Sequence, residues 1–473
     1  MLRKKTFLRC VALVSLLVWF LLPLQVWALS IGEERKIGEQ LLYTMRKGLP
    51  LLDEPDISQY INSLGQEVLA KVGPQYFSYR FYVVKSDQFN AFAAPAGLVF
   101  FYSGLIEQVQ NEDELLSVLA HEIGHVVSRH IAQRMEKNSV VGAASLLMAI
   151  AGIAIGVPGL SSGIMMGSLA AGQAANLQYS REDEEQADRL SYGWMCKMQR
   201  NPEAMANMLR TMRRITRYSI GGEVPQYLLS HPNPEARLGY IQSMIESDRQ
   251  KETTGEFQQT DNFAFLRFKY RVLMHSIDHE KIKVYCVTLL NTNSDPEQKV
   301  MANYGMALLA ADERDFEGAL RYLGTLQAKY PDRKILNVDR AVILLEAGRQ
   351  DQAHALLEQA VREDADDMYG LYQLAKLESM RGHSGRAEQL LQRFKALMPE
   401  YPPLYFELGR IAASQGRQGM AGFYLSKYNL YRGRVKLAER YLKRAAKDTS
   451  IAEKYRNEAQ VLFDKLKELE KGN

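Results

Sequence analysis

Small residues return every 34 positions through the second half of this chain, at Ala307, Ala341, Ala375 and Gly409, and in a second register at Ala319, Ala353, Ala387 and Ala421. No other feature limits the possible folds so tightly. Helices pack closely only where their side chains are small. Two such positions twelve apart put one close contact on each helix of a pair, and the constant period lets successive pairs stack. Gly348, Gly382 and Gly416 stand at equivalent turns, and Pro331 and Pro399 at equivalent repeat ends.

A period of 34 with this spacing is the tetratricopeptide pattern. It predicts four helix pairs from about 300 to 433, flanked by helices on both sides, in an all-α domain over 262–473. Such a solenoid usually binds peptides or proteins in a concave groove. A chain of 473 residues exceeds one ordinary hydrophobic core, so a second domain is expected before it. The polar stretch from Ser247 to Asn262 reads as the boundary, giving a first domain over 29–250.

That first domain reads as α+β. Residues 30–72 carry helical periodicity, with Ile57, Tyr60, Ile61, Leu64 and Val68 on one stripe. Phe77 to Val84 reads as a strand, and Leu98 to Tyr102 as a second. Asn111 or Asp113 is placed to cap a long helix after them. The whole chain is therefore expected to be mainly α with a small sheet.

Residues 1–28 stand apart. Arg3, Lys4, Lys5 and Arg9 precede the apolar run Val11–Leu22, and Val26-Trp27-Ala28 offers small residues at a cleavage point. This is the layout of a secretory signal peptide, and the small-x-small end favours cleavage over a retained anchor. The segment removes four basic residues and no acidic ones from a total of 59 basic and 55 acidic, leaving 55 of each. A neutral mature chain gives no reason to expect nucleic acid as a partner. An oxidising compartment would permit a disulfide between Cys196 and Cys286, although either can equally be a small buried apolar residue.

The stretch 139–180 has no charge until its end and is rich in Gly, Ala, Met and Ile. A helical hairpin dipping into a membrane, an apolar lid, or a pair of buried helices all fit it. A single span would separate the groups discussed next into two compartments.

His121-Glu122-Ile123-Gly124-His125 carries the chemistry. Residues four apart share a helix face, so the two imidazoles can bind one Zn²⁺. Glu122, beside the first ligand, can take a proton from a water that the metal acidifies, and later return it to the leaving amine. Such a pattern arises by accident in roughly one per cent of chains of this length, so a third ligand is needed to make the case. The run Ser180-Arg181-Glu182-Asp183-Glu184-Glu185-Gln186-Ala187-Asp188 places Glu184 and Asp188 on one helix face. By spacing alone it is only an acidic helix N-terminus.

Together, His121-Glu122-x-x-His125 and Ser180-Arg181-x-x-Glu184-x-x-Ala187-Asp188 resemble the motif pair of the zinc endopeptidases that include the CAAX prenyl endopeptidases. The resemblance implies Glu184 as the third ligand and Asp188 as the partner of a ligand imidazole, with one zinc per chain. Asn90-Ala91-Phe92-Ala93 with Gly97 resembles the same family's edge strand, which pairs with an extended substrate backbone, although turn chemistry also accounts for Asn90 and Gly97. His231-Pro232-Asn233-Pro234-Glu235-Ala236-Arg237 resembles a further motif near the active site. It implies His231 as a removable fourth ligand and Arg237 as an oxyanion partner, beside the plainer reading of a loop before a helix. His130, five residues past His125, is expected at the surface or behind the site rather than as a ligand.

The order of signal peptide, peptidase domain, uncharged insert and repeat tail is similar to the periplasmic, repeat-bearing members of that family. These degrade or assist stalled outer-membrane β-barrel proteins. The resemblance thus implies a periplasmic endopeptidase for unfolded or stalled barrel proteins, docked on the barrel-assembly machinery through its repeats, with peripheral membrane contact allowed. The alternatives are a chaperone or adaptor with a latent zinc site, and a membrane-embedded peptidase.

Overall fold

The computed structural model describes residues 29–137, 178–218, 226–251, 257–292 and 295–471. The expected signal peptide and nearly all of the uncharged stretch 139–180 lie outside the described residues. Among the described residues, no helix is long and apolar enough to cross a membrane.

The first half holds a three-stranded sheet between helices. Helix α1 (Ile31–Gly48) and α2 (Pro55–Val72) precede β1 (Arg80–Val84), β2 (Ala91–Ala94) and β3 (Leu98–Tyr102). The strand order is β1-β3-β2, with β3 parallel to β1 and antiparallel to β2. Leu98-Val99-Phe100-Phe101-Tyr102 is apolar without alternation because both its faces are covered. Leu98, Phe100 and Tyr102 pack with α1, whereas Val99 and Phe101 pack with α2 and the long helix described next.

Beyond the sheet come α3 (Ser103–Gln108), α4 (Glu112–Val127), α5 (His130–Lys137), α6 (Arg181–Lys197), α7 (Glu203–Tyr218), α8 (Gln226–Ser230) and α9 (Pro234–Gln250). Helix α4 starts where Asn111 accepts a hydrogen bond from the Glu114 N–H at 2.9 Å. It ends at Ser128 and Arg129, where Arg129 turns left-handed at φ 53°.

The helices that follow fall into the predicted pairs. After α10 (Phe263–Ser276) and α11 (His279–Asn291) come α12 (Pro296–Asp312) with α13 (Phe316–Lys329), and α14 (Ile335–Glu346) with α15 (Gln350–Glu363). Then α16 (Met368–Met380) pairs with α17 (Ser384–Leu397), and α18 (Pro402–Ser414) with α19 (Gln418–Tyr431), before α20 (Val435–Ala445) and α21 (Glu453–Lys471). The repeating small residues are buried, as close helix contact requires. Gly348, Gly382 and Gly416 all turn at positive φ, between 73° and 83°. Arg314 stands at the same point of the first pair with φ 64°, a conformation that is costly for a side-chain-bearing residue. Arg314→Gly is therefore expected to raise stability by about 0.5–1 kcal/mol in urea unfolding, against a loss if the side chain were needed.

The repeats are not separate from the sheet half. One hydrophobic cluster runs from Leu52 through Ile343. Arg267 on α10 bridges Asp56 on α2, at 3.2 Å, and Asp339 on α14, at 2.7 Å. Arg271 adds a 2.8 Å contact to Asp56. These two guanidinium groups outweigh the cost of burial and bring the Asp56 carboxyl down to about 2. Further along, Glu400 meets Arg46 at 2.7 Å and Arg80 at 3.2 Å. Helix α2 thus lies against α10 and α16, and the chain itself fills part of the repeat surface. Cys196 and Cys286 are both free thiols, so the permitted disulfide is absent.

Candidate metal centre

Two helices and one loop build the site. Helix α4 brings His121, Glu122 and His125, and α6 crosses it so that Glu184 and Asp188 face the same point. Their approach depends on Gly124, since a Cβ there would stand 3.1 Å from the Cα and carbonyl oxygen of Ala187. Ser180 and Asp183 form a capping box at the start of α6, which explains the acidic first turn without removing Glu184 from the site. The third contributor is the loop between α8 and α9. Asn233 takes a left-handed conformation there, and His231 and Arg237 both turn inward.

The resulting cluster is closed to solvent: Glu122 and His231 are 0% exposed, and His121, His125 and Glu184 at most 3%. One ligand atom from each of His121, His125, Glu184 and His231 lies within 4.8 Å of all the others. The Nε2 atoms of His121 and His125 are 3.0 Å apart, and His231 Nδ1 is 3.4 Å from His121 Nε2. Glu184 Oε1 lies 2.9 Å from His231 Nδ1 and 3.5 Å from His125 Nε2. A tetrahedral Zn²⁺ with bonds of about 2.0–2.2 Å spaces its ligand atoms about 3.3–3.6 Å apart, so this donor set fits such an ion with small adjustments. Glu122 Oε2, Glu184 Oε2 and His231 Nε2 are buried there without a hydrogen-bond partner. Buried polar atoms rarely go unsatisfied, and a cation would satisfy such a group.

The surrounding charges hold the donors in place. Asp188 Oδ1 lies 2.8 Å from His121 Nδ1, which turns His121 Nε2 toward the cluster. Arg237 donates from Nε and Nη2 to the two Asp188 oxygens, each at 2.8 Å. Its Nη1 sits 2.6 Å from Glu184 Oε2, an ion pair without hydrogen-bond alignment. The guanidinium therefore faces two carboxylates, while its Nη1 makes no hydrogen bond among the described residues. Burial alone would raise both acids, but Arg237 and the imidazoles hold Glu184 and Asp188 well below the usual carboxylate range. For His121, burial and Arg237 are outweighed by Asp188 and Glu184, and its pKa rises to about 9. His125 is held well below its ordinary value, first by burial.

Several contributors were not legible in the sequence. Of the two places expected for His130, the structure gives the one behind the site: it is buried, and its Nδ1 lies 2.8 Å from His125 Nδ1. The break at Arg129 carries it back over α4, whereas a continuous helix would point it elsewhere. Tyr179 stacks on His125 with ring centroids 3.7 Å apart, and Tyr227 on His231 at 4.3 Å. The Tyr227 hydroxyl also donates to Glu122 Oε1 at 3.3 Å. Tyr227 stands four residues before His231, a spacing that could have suggested it.

Asn90, Ala91 and Phe92 lie at the start of β2, beside α4. Tyr102 N–H donates to Asn90 C=O at 3.0 Å, so Asn90, Phe92 and Ala94 face β3. The main-chain groups of Ala91 and Ala93 then point to the outer edge of β2, which pairs with no strand among the described residues. The opposite edge of the sheet is closed. The Asn62 side chain accepts from Phe81 N–H at 3.2 Å and donates to its C=O at 3.1 Å, and Leu52 N–H donates to Val83 C=O at 2.8 Å.

The sequence profile of Peptidase family M48 matches residues 55–245, and that of a tetratricopeptide repeat matches 310–377. The chain is 30% identical over 398 residues to the Beta-barrel assembly-enhancing protease of Yersinia pestis, covering 82% of this chain and 79% of that one. It is 30% identical over 312 residues to the protein of the same name from Escherichia coli (strain K12), covering 64% of this chain and 61% of the relative. Metalloprotease YcaL of Escherichia coli (strain K12) is 30% identical over 168 residues, covering 35% of this chain and 62% of that one.

Proposed function

The chain belongs to peptidase family M48 and is a metalloendopeptidase, and on that premise we propose that it is a periplasmic zinc endopeptidase acting on unfolded or stalled outer-membrane β-barrel proteins. The observation that carries the reading is the convergence of His121, His125, Glu184 and His231 on one buried point, with Glu122 alongside. The barrel-assembly name of the Yersinia relative, 79% covered, supports the substrate class.

His121, His125 and Glu184 hold the metal, and Asp188 fixes the ring of His121 through its 2.8 Å contact. Zinc in such a site acidifies a water and polarises the carbonyl under attack. Glu122 accepts the water's proton on Oε2, which has no competing partner, while Tyr227 steadies Oε1. It then delivers the proton to the leaving amine. Arg237 is a positioning residue for Glu184 and Asp188. The outer edge of β2 pairs with the substrate backbone, a mode of binding that makes few demands on the substrate's side chains. The repeats not covered by α2 dock on the barrel-assembly machinery.

His231 brings a fourth donor to the same point and would be a ligand where a catalytic site keeps an open position. It must withdraw before substrate enters, which makes the described state latent. His231→Ala is expected to raise peptidase activity in an untreated preparation by at least several-fold, because one ligand no longer competes. Cleavage of unfolded casein at matched zinc occupancy measures this. Equal rates in the two proteins would remove the latency and leave His231 as a structural residue.

A further inference from the structure

We propose that His130 is a positioning residue that sets the tautomer of His125 and so keeps the His125 Nε2 lone pair aimed at the metal. The proposal rests on the metal reading of His125 above. The Nδ1 atoms of His125 and His130 lie 2.8 Å apart, so one carries a proton and the other accepts it. The other side of His130 decides which. Its Nε2 lies 3.0 Å from Gln186 Oε1 and 3.7 Å from Asp183 Oδ1. The Gln186 amide oxygen accepts from an N–H, and the negative charge of Asp183 nearby favours the same arrangement, so the proton of His130 belongs on Nε2. Its Nδ1 is then the acceptor, and His125 Nδ1 is the donor. A neutral imidazole has one N–H, so His125 Nε2 is left with a free lone pair. That nitrogen is the one that faces His121 Nε2, at 3.0 Å.

The relay is built rather than incidental. The left-handed turn at Arg129 returns His130 onto the preceding helix, where it is 1% exposed. Arg134 meets Asp183 at 3.2 Å, and Asp183 is also fixed by the capping box at the start of α6. One turn of α6 therefore supplies Glu184 to the metal and the acceptors that orient His125 from behind.

The test compares zinc affinity in the purified full chain, measured by competition with a chromophoric chelator. His130→Leu removes the acceptor, whereas the Oδ1 of His130→Asn stands close to the lost Nδ1. His130→Leu is expected to bind zinc about 10–100-fold more weakly, with the asparagine variant close to wild type. Leucine binding zinc as tightly as wild type, or asparagine binding as weakly as leucine, would overturn the proposal. Should the leucine variant fail to fold, imidazole ¹⁵N shifts of the metal-free wild type decide. Protons on His125 Nδ1 and His130 Nε2 support the relay, and the reverse pair of tautomers overturns it. A wild type that takes up no zinc at all is a different failure, because it removes the metal reading itself.

Discussion

Glu122→Gln is expected to lower kcat on an unfolded protein substrate by about 10²–10⁴-fold while leaving zinc binding almost unchanged. The argument is local. Glu122 is fully buried between two ligand residues but donates nothing to the four-atom cluster. Its Oε2 has no partner, and its Oε1 is held by Tyr227. Glutamine keeps the volume and the Tyr227 contact but cannot take up a proton. Zinc content from elemental analysis separates loss of the base from loss of the metal. A variant that still cleaves at the wild-type rate would move the base to another group.

Arg237→Met should have the largest effect on stability. It leaves Asp188 and Glu184, both nearly inaccessible, without the guanidinium that contacts each of them. Removing one member of a buried charge group costs about 3–5 kcal/mol, because the remaining charges lose their compensation. Methionine fills much of the space, so the loss reports charge more than volume. Zinc supplies positive charge at the same place, and saturation at a thousand times Kd returns about 4 kcal/mol. The metal-free variant is therefore expected to unfold at much lower urea than wild type, and zinc to recover part of the difference. If the metal-free variant is as stable as metal-free wild type, Arg237 contributes no charge compensation.

Parts of this were legible before any coordinates. The period of 34 gave the helix pairs because close helix contact excludes large side chains at fixed points, and those points are visible one residue at a time. Asn111 and the acidic run that follows Ser180 marked helix starts for similarly local reasons. The His121–His125 spacing exposed one face of α4 in the same way. What local pattern cannot give is how separate segments meet. Nothing in Arg80–Val84 says that it pairs in parallel with Leu98–Tyr102, or that Asn62 closes the outer edge. For His130 the sequence leaves open the surface or a place behind the site, because the outcome depends on Arg129 leaving the helix, and arginine gives no warning of a left-handed turn. The carboxylate contacts of Arg237 carry no signal in its own segment, because both partners lie on another helix. The contact of α2 with the repeats had no sequence signal, since it rests on single residues such as Asp56, Arg267 and Asp339.

The most direct test incubates the purified chain with an unfolded outer-membrane β-barrel protein, once with zinc and once after chelation, beside Glu122→Gln under both conditions. Cleavage by the zinc-loaded wild type, abolished by chelation and restored by added zinc, with none from Glu122→Gln, is the predicted result. Cleavage that survives chelation, or that Glu122→Gln performs equally well, would contradict a zinc centre at His121, His125 and Glu184 with Glu122 as its base.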